Sequence, residues 1–178
     1  MYKDVLNFWF EEIDESKWWI KDLEFDQCII ERFATTHDMA AKCELFEWRR
    51  SAEGRLAEII VLDQFSRNMF RDSPKAFVND PLALVLSQEA VLRGTDRELD
   101  PKKRSFLYLP YMHSESRIVH EVAVKLFNEN GVRSNIEFEI KHKKIVDRFG
   151  RYPHRNEILD RESTQEEIEF LKGPGSSF

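Results

Sequence analysis

Apolar residues along this 178-residue chain recur mainly every three or four positions, and no segment shows the strict alternation typical of a β-strand. The pattern predicts a first amphipathic helix over residues 3–12 and a second from about residue 25 to residues 39–42. A third helix begins at Ser51 and has a narrow polar face, because most of its positions are apolar: Leu56, Ile59, Ile60, Val61 and Leu62. We therefore expect the third helix to lie at the centre of one core, which also contains Trp9, Phe65, Val146 and Phe149.

Capping residues predict where the middle helices begin and end. The pair Asp80-Pro81 is typical of an N-cap followed by proline at the first helical position, and Gly94 supplies the matching stop. Asp100 repeats the start signal, again with proline after it, for a short helix that is expected to end before Pro110.

The last three helices follow from the same kind of signal. A sixth helix is predicted over residues 114–130, before a glycine. Ser134 and Glu137 have the spacing of a capping box at the head of a seventh helix, and Thr164 and Glu167 repeat it at the head of the last.

About eight helices joined by short loops predict a single all-α domain over residues 1–178. Residues 173–178 have the composition of a flexible tail, but we expect Phe178 to pack back onto apolar surface. Cys28 and Cys43 have neither zinc-site nor disulfide-framework spacing, so we expect both to be reduced core residues.

Composition narrows the class of protein. Apolar residues make up 42% and charged residues 34%, which is typical of an ordinary globular protein. The net charge of −6 argues against a nucleic-acid partner, which would require a basic face. The longest apolar run, residues 59–62, is far below the ~20 residues of a membrane span, and the N-terminus lacks the pattern of a signal peptide. We expect a cytoplasmic protein with no membrane partner.

An arginine-rich turn at residues 148–156 is the first candidate site. Arg151, His154, Arg155 and Asn156 lie there beside a glycine and a proline. A guanidinium is a planar, permanently charged fork that grips a carboxylate or phosphate through two hydrogen bonds. The alternative is structural, with these groups bonded to carbonyls at helix ends and to local acids.

The end of the third helix is the second candidate. Asp63, Arg67 and Arg71 are spaced by four, so they share one helical face, and an Asp63–Arg67 pair would leave Arg71 for another anion. The alternative is an intrahelical salt bridge of little energetic consequence.

Histidines supply candidates for proton transfer. His113 and Glu115 fall at the predicted start of the sixth helix, where a carboxylate beside an imidazole suits general acid–base chemistry; a plain helix cap is the alternative. His142 lies on the apolar stripe of the seventh helix and should face inward, as many purely structural histidines do. His120 and His37 are expected at the surface or rim.

The absence of several known sequence motifs argues against several classes of enzyme. The chain has no GxGxxG, GxxxxGK[ST] or GxSxG segment. His113 with Glu115 lacks the Pro-Cys-x-x-Cys partner of zinc deaminases, and His120 with Glu121 lacks the second histidine of a metalloprotease helix. We therefore expect neither a metal nor a cofactor.

Several segments together resemble one family. They are Asn7-Phe8-Trp9-Phe10, Gly54-Arg55-Leu56-Ala57, Leu62-Asp63-Gln64-Phe65, Arg67-Asn68, residues 109–115 (LPYMHSE), residues 149–156 (FGRYPHRN), Ser163-Thr164 and the terminal Ser-Phe. The chain resembles the bacterial DUF924 family over essentially its whole length, with Ser66, His120 and Asp160 standing where the family usually has proline, glutamine and glycine. The resemblance implies a TPR-like stack of helical hairpins and no assigned reaction. The resemblance also implies that the characteristic polar residues of the family fall at these positions: Asp63, Gln64, Arg67, Asn68, His113, Ser114, Glu115, Arg151, His154, Arg155 and Asn156.

These observations combine into one hypothesis and one alternative. The hypothesis is a pocket for a small anionic molecule, in which His113 or His142 transfers a proton, Glu115 orients it and the arginines hold the charge. The alternative is a non-catalytic scaffold whose concave helical face holds a peptide or protein partner.

Overall fold

The computed structural model describes residues 1–176, and within that range it contains helices and no strand, so the all-α prediction is confirmed. The α-helices are α1 (Tyr2–Asn7), α2 (Leu23–Ala41), α3 (Ala52–Ile60), α4 (Ser66–Met69), α5 (Asp80–Leu92), α6 (Pro101–Met112), α7 (Arg117–Asn130), α8 (Arg133–Phe149) and α9 (Gln165–Leu171). Two π-helical segments, Phe8–Glu12 and Val61–Phe65, extend α1 and join α3 to α4.

The third helix is central, as its apolar pattern predicts. From α3 through the π-helical segment the chain stays buried, and Ile59, Ile60 and Leu62 are fully inaccessible to solvent. Ser51 caps the helix by accepting a hydrogen bond from the Gly54 amide at 3.1 Å. Gly54 is required because a Cβ there would lie 2.0 Å from the carbonyl oxygen of Trp48. A missing side chain thus lets the preceding turn rest directly on the helix.

The core is divided into two clusters, where the sequence predicts one. The larger cluster contains Trp9, Ile60 and Phe65, and the Trp9 and Phe65 rings meet edge to face with centroids 5.6 Å apart. Val146, with Phe149 packed against it, belongs to a smaller cluster on the Tyr152 side of the molecule. The prediction of a single core is therefore wrong for this last part of the chain, because the polar groups described below lie beside Tyr152.

Three helix ends differ from the predictions. Helix α6 continues through Pro110 to Met112, because its last turns are buried and packing outweighs the lost amide. His113 and Glu115 consequently lie in a loop before α7, not in a first helical turn. Asp80 lies inside α5, after the N-cap Asn79, because its carboxylate binds arginine side chains.

The two predicted capping boxes have different outcomes. At α9, the Thr164 hydroxyl accepts from the Glu167 amide and the Glu167 carboxylate accepts from the Thr164 amide, so the box is confirmed. At α8, the N-cap is Val132 and has no side-chain cap, while Glu137 pairs with Arg133. The prediction of a Ser134 cap is therefore wrong.

The C-terminal helices pack in chain order, with α6 against α7 and α7 against α8, an arrangement compatible with a TPR-like stack. Ser176 is buried and its hydroxyl donates to the carbonyl of Leu171 at 3.2 Å. Phe178, predicted to pack back, lies outside the described residues. Within residues 1–176 no helix is long and apolar enough to cross a membrane. Both thiols are free. Cys28 is half-buried and packs against the larger core cluster, whereas Cys43 is exposed, so the expectation of a core residue is wrong for Cys43.

Candidate functional site

Four charged side chains from three parts of the chain form a continuous chain of contacts. Arg67 Nη1 lies 2.8 Å from Asp63 Oδ1, and the same guanidinium donates to both carboxylate oxygens of Asp80 at 3.1 Å. Asp80 Oδ2 then lies 3.5 Å from Nη1 of Arg155. Segments as far apart as residues 63 and 155 therefore converge, which the sequence hypothesis requires.

Asp63 is the buried centre of this cluster. It belongs to the π-helical segment between α3 and α4, a distortion that is frequent at functional sites. Its Oδ2 accepts a hydrogen bond from the side-chain Nε2 of Gln64 at 2.6 Å, and its Oδ1 faces Nδ1 of His113 at 2.8 Å. Burial alone would raise the pKa of Asp63, but Arg67 and His113 outweigh burial and hold that pKa below its ordinary value. Asp63 is consequently a carboxylate at neutral pH.

His113 is oriented by Asp63, and the expectation that Glu115 orients it is wrong. Burial and the charge of Arg67 lower the pKa of His113 below its ordinary value, against the opposing effect of Asp63, so the ring is neutral at pH 7. Because a carboxylate accepts, Nδ1 carries the ring proton and Nε2 has a lone pair. No residue within 1–176 hydrogen-bonds to Nε2, and the side chain retains 15% of its exposure.

Arg155 has fewer polar contacts than its burial requires. Its side chain is only 8% exposed, and the guanidinium carbon lies over the rings of Phe77 and Tyr152, at 4.7 and 4.6 Å from their centroids. Within the described part of the chain its Nε atom has no hydrogen-bond partner. Burial, with the like charge of Arg67, lowers the pKa of Arg155, although a guanidinium remains charged at any physiological pH. A buried cation with an unused donor is a candidate ligand group.

Glu115 belongs to a clamp that the sequence analysis misses. Arg161 donates to both Glu115 oxygens at 2.7 and 3.0 Å, while the Tyr152 amide donates to Oε1 at 2.7 Å. Arg161 also reaches the Tyr152 carbonyl at 3.2 Å. Burial would raise the pKa of Glu115, but Arg161, the Tyr152 amide and the charge of Arg155 lower it on balance. The clamp fixes the turn that carries Arg155.

Three further histidines surround the Tyr152 ring, at centroid distances of 6.3 Å for His120, 5.7 Å for His142 and 5.5 Å for His154. His142 faces inward as predicted, and burial lowers its pKa to about 3. Burial and then Arg155 lower the pKa of His154 to about 4. The rings of His142 and His154 are therefore neutral at pH 7. His113 lies beside His142 and completes a group of four histidines.

His120 and His37 are buried, so the expectation that they lie at the surface or rim is wrong. His120 contacts Glu139 Oε1 at 2.7 Å through Nδ1 and the Ser114 carbonyl at 2.9 Å through Nε2. His37 contacts the hydroxyl of Ser66 at 2.8 Å. Each ring is buried because a polar partner, distant in sequence, satisfies it there.

Comparison with known proteins agrees with the sequence resemblance. A family model described as a bacterial protein of unknown function (DUF924) matches residues 5–175. The chain belongs to the DUF924 family. A solved structure, of a protein of unknown function from Agrobacterium tumefaciens, has 39% sequence identity and a TM-score of 0.92 and covers 97% of each chain. No curated protein matches this DUF924 chain.

Several of the polar groups singled out in the sequence lie outside the cluster and have structural partners. Asn68 and Arg71 both bind Asp26, with Arg71 bidentate at 2.6 and 2.7 Å, so the expectation of a free Arg71 is wrong. Arg151 is bidentate to Glu167 at 2.7 and 2.8 Å.

Asn156, also predicted to bind ligand, donates to the Ser163 hydroxyl at 3.0 Å. The structural alternative for the arginine-rich turn thus describes Arg151 and Asn156, whereas Arg155 and His154 lie in the cluster.

Metal ligation finds no support among residues 1–176 of this DUF924 protein, since no group of three or more histidine, cysteine, aspartate or glutamate side chains has the geometry for an ion. Two open surface cavities, of about 220 and 170 Å³, adjoin Lys103 and include no predicted site residue in their walls. The candidate site is therefore the polar cluster itself. Asp80 and Arg67 are 18% and 21% exposed, so the cluster reaches solvent on that side.

Proposed function

We propose that this DUF924 protein binds a small anionic molecule, a carboxylate or a phosphate-type group, at Arg155, with His113 as the acid–base group beside it. The observation that carries the proposal is the buried Arg155 guanidinium. Within residues 1–176, its only ion pair is a 3.5 Å contact to a carboxylate that Arg67 already holds in two hydrogen bonds, and its Nε is unpaired. An incoming anion would supply the missing acceptors.

The surroundings of Arg155 support recognition of a planar or tetrahedral anion. The rings of Phe77 and Tyr152 each contact the guanidinium through a cation–π interaction, and the Glu115–Arg161 clamp holds the turn. A guanidinium that is fixed before binding loses little side-chain entropy when it grips a ligand. The arrangement therefore favours an anion that takes two parallel hydrogen bonds.

The acid–base part of the proposal rests on the Asp63–His113 pair. A carboxylate that holds Nδ1–H of an imidazole fixes its tautomer and directs the Nε2 lone pair outward, the arrangement used by many general bases. His142 is the less suitable of the two predicted proton-transfer groups, because its Nδ1 faces the neutral carbonyl oxygen of Phe138 at 2.8 Å and not a carboxylate, and burial lowers its pKa to about 3.

Thermal unfolding with defined anions tests the proposal. Sulfate, phosphate, acetate and succinate are each compared with chloride at equal ionic strength, for the wild type, Arg155→Lys and Arg133→Lys. Arg133 is the matched control because its side chain is 91% exposed. At an anion concentration of 100 Kd, a specific ligand adds about 2.7 kcal/mol to the free energy of unfolding.

We expect at least one anion to stabilise the wild type and Arg133→Lys in a saturable manner, and Arg155→Lys to lose most of that increment, since lysine lacks the planar fork. We compare the anion-induced increase in the free energy of unfolding, and not the absolute stabilities, because Arg155→Lys also weakens the cation–π contacts at a cost of about 1–2 kcal/mol. Equal increments in all three proteins would reveal only the general effect of salts on burial and would overturn the proposal.

A further inference from the structure

Among residues 1–176, the fixed charges of the cluster balance without a ligand. Its guanidiniums are those of Arg67, Arg155 and Arg161, and its carboxylates are those of Asp63, Asp80 and Glu115. His113, His142 and His154 are neutral at pH 7 for the reasons given above. A bound anion would therefore introduce net negative charge into a site that is largely removed from water, and burying an uncompensated charge is costly.

We propose that anion binding at this site is coupled to the uptake of one proton by His113, which changes that residue from a proton acceptor into a proton donor facing the bound group. This inference rests on the proposed function, because it concerns the same site. It adds the direction of proton transfer: His113 acts on the bound molecule as a general acid.

The contacts of His113 make it the group that takes the proton. Asp63 Oδ1 lies 2.8 Å from both His113 Nδ1 and Arg67 Nη1, so the carboxylate is shared between the two. An anion bound by Arg67 and Arg155 would weaken the interaction between Arg67 and Asp63. The Asp63 carboxylate would then stabilise a His113 imidazolium more strongly. Among the described residues, the charged and titratable groups around His113 are Asp63 from the π-helical segment, Arg67 from α4, Asp80 from α5 and His142 from α8.

His142 and His154 are poorer proton acceptors because of what surrounds them, and His120 is closed off from solvent. His142 lies beside His113, His120 and His154, so a charge there would face like charges. His154 lies beside Arg155 and Arg161. His120 is fully buried and already shares a hydrogen bond with Glu139. His113 combines a facing carboxylate with access to water through its exposed edge.

Calorimetry counts the protons. Sulfate is the probe because it does not titrate near neutral pH, and its binding heat is measured at pH 7 in two buffers of different ionisation enthalpy. The wild type should take up about one proton per sulfate bound, and its affinity should fall by up to about tenfold for each unit rise in pH. His113→Gln should bind with no proton uptake, whereas His37→Gln, which lies outside the site, should keep the wild-type proton count.

Every outcome decides the inference. Sulfate binding without proton uptake in the wild type, or an unchanged proton count in His113→Gln, overturns it and leaves the anion site standing. Absence of binding by sulfate and by the other anions overturns the proposed function and this inference together. Should His113→Gln fail to fold, ¹⁵N imidazole shifts of the wild type decide, since sulfate must convert His113 from imidazole to imidazolium; an unchanged ring would overturn the proposal.

Discussion

Replacing Glu115 by glutamine keeps the size and shape of the side chain and removes its charge. The substitution leaves an acceptor for the Tyr152 amide but takes the carboxylate from Arg161, which binds it at 2.7 and 3.0 Å. The side chains of Glu115 and Arg161 are 26% and 24% exposed, so the pair is intermediate between a surface pair and a buried pair. A surface pair contributes about 0.2–1 kcal/mol, whereas disrupting a buried pair costs about 3–5 kcal/mol. We expect Glu115→Gln to lower the free energy of unfolding by about 1–3 kcal/mol at pH 7.

The pH dependence follows from the direction of the pKa shift. Because the pKa of Glu115 is lower in the folded protein than in the unfolded chain, its contribution is fully present above the unfolded value of about 4.3. That contribution is lost as the pH falls through the lower, folded value. The difference between wild type and Glu115→Gln should therefore be constant near neutrality and shrink below about pH 4.

Urea unfolding at a series of pH values measures this difference, with Glu137→Gln as the matched control. Glu137 forms an i,i+4 pair with Arg133 on the surface of α8, at 3.0 Å, and its removal should cost only about 0.2–0.5 kcal/mol. A loss below about 0.5 kcal/mol for Glu115→Gln at pH 7 would mean that the clamp is energetically a surface pair. A loss that persists unchanged in acid would show that the substitution acts through shape and not through charge.

Two further predictions concern the central helix. Ile60→Ala should cost about 2–5 kcal/mol in chemical unfolding because Ile60 is fully buried, whereas Leu92→Ala, at an exposed position, should cost little; a loss under about 1 kcal/mol at Ile60 would contradict its central place. Gly54→Ala should destabilise by about 1–3 kcal/mol despite the higher helix propensity of alanine, because the new Cβ meets the Trp48 carbonyl; Gly173→Ala, with its nearest atom at 3.4 Å, is the control, and equal melting temperatures for the two variants would refute the reasoning.

The sequence pattern predicts well those features of the fold that depend only on neighbouring residues. Ser51, Thr164 and the apolar run of α3 act within a few residues of themselves, so spacing alone identifies the caps and the buried helix. Asp80 shows the limit of such reasoning. Its position before a proline is typical of an N-cap, yet the carboxylate contacts Arg67, thirteen residues away, and the helix begins differently as a result.

The site depends on contacts that spacing does not encode. Asp63 and His113 are 50 positions apart, and Glu115 and Arg161 are 46 apart. The sequence analysis brings Asp63, Arg67, His113 and Arg155 forward individually, but it pairs His113 with its near neighbour Glu115. Arg161 carries no local signal other than its nearness to the arginine-rich turn, so only the folded arrangement identifies it as the partner of Glu115.

Arg151, Arg155 and Arg161, which lie in or just after the arginine-rich turn, differ in how completely they are paired. Arg151 is bidentate to Glu167, and Arg161 is bidentate to Glu115, so each has a carboxylate of its own. Arg155 shares Asp80 with Arg67 and keeps an unpaired Nε within the described residues, although it is the most buried of the three. Stability alone would favour pairing the most buried cation most completely. The reverse order indicates that the turn is held by Arg151 and Arg161 so that Arg155 can be presented to something else, and an anion is the chemistry that this guanidinium lacks.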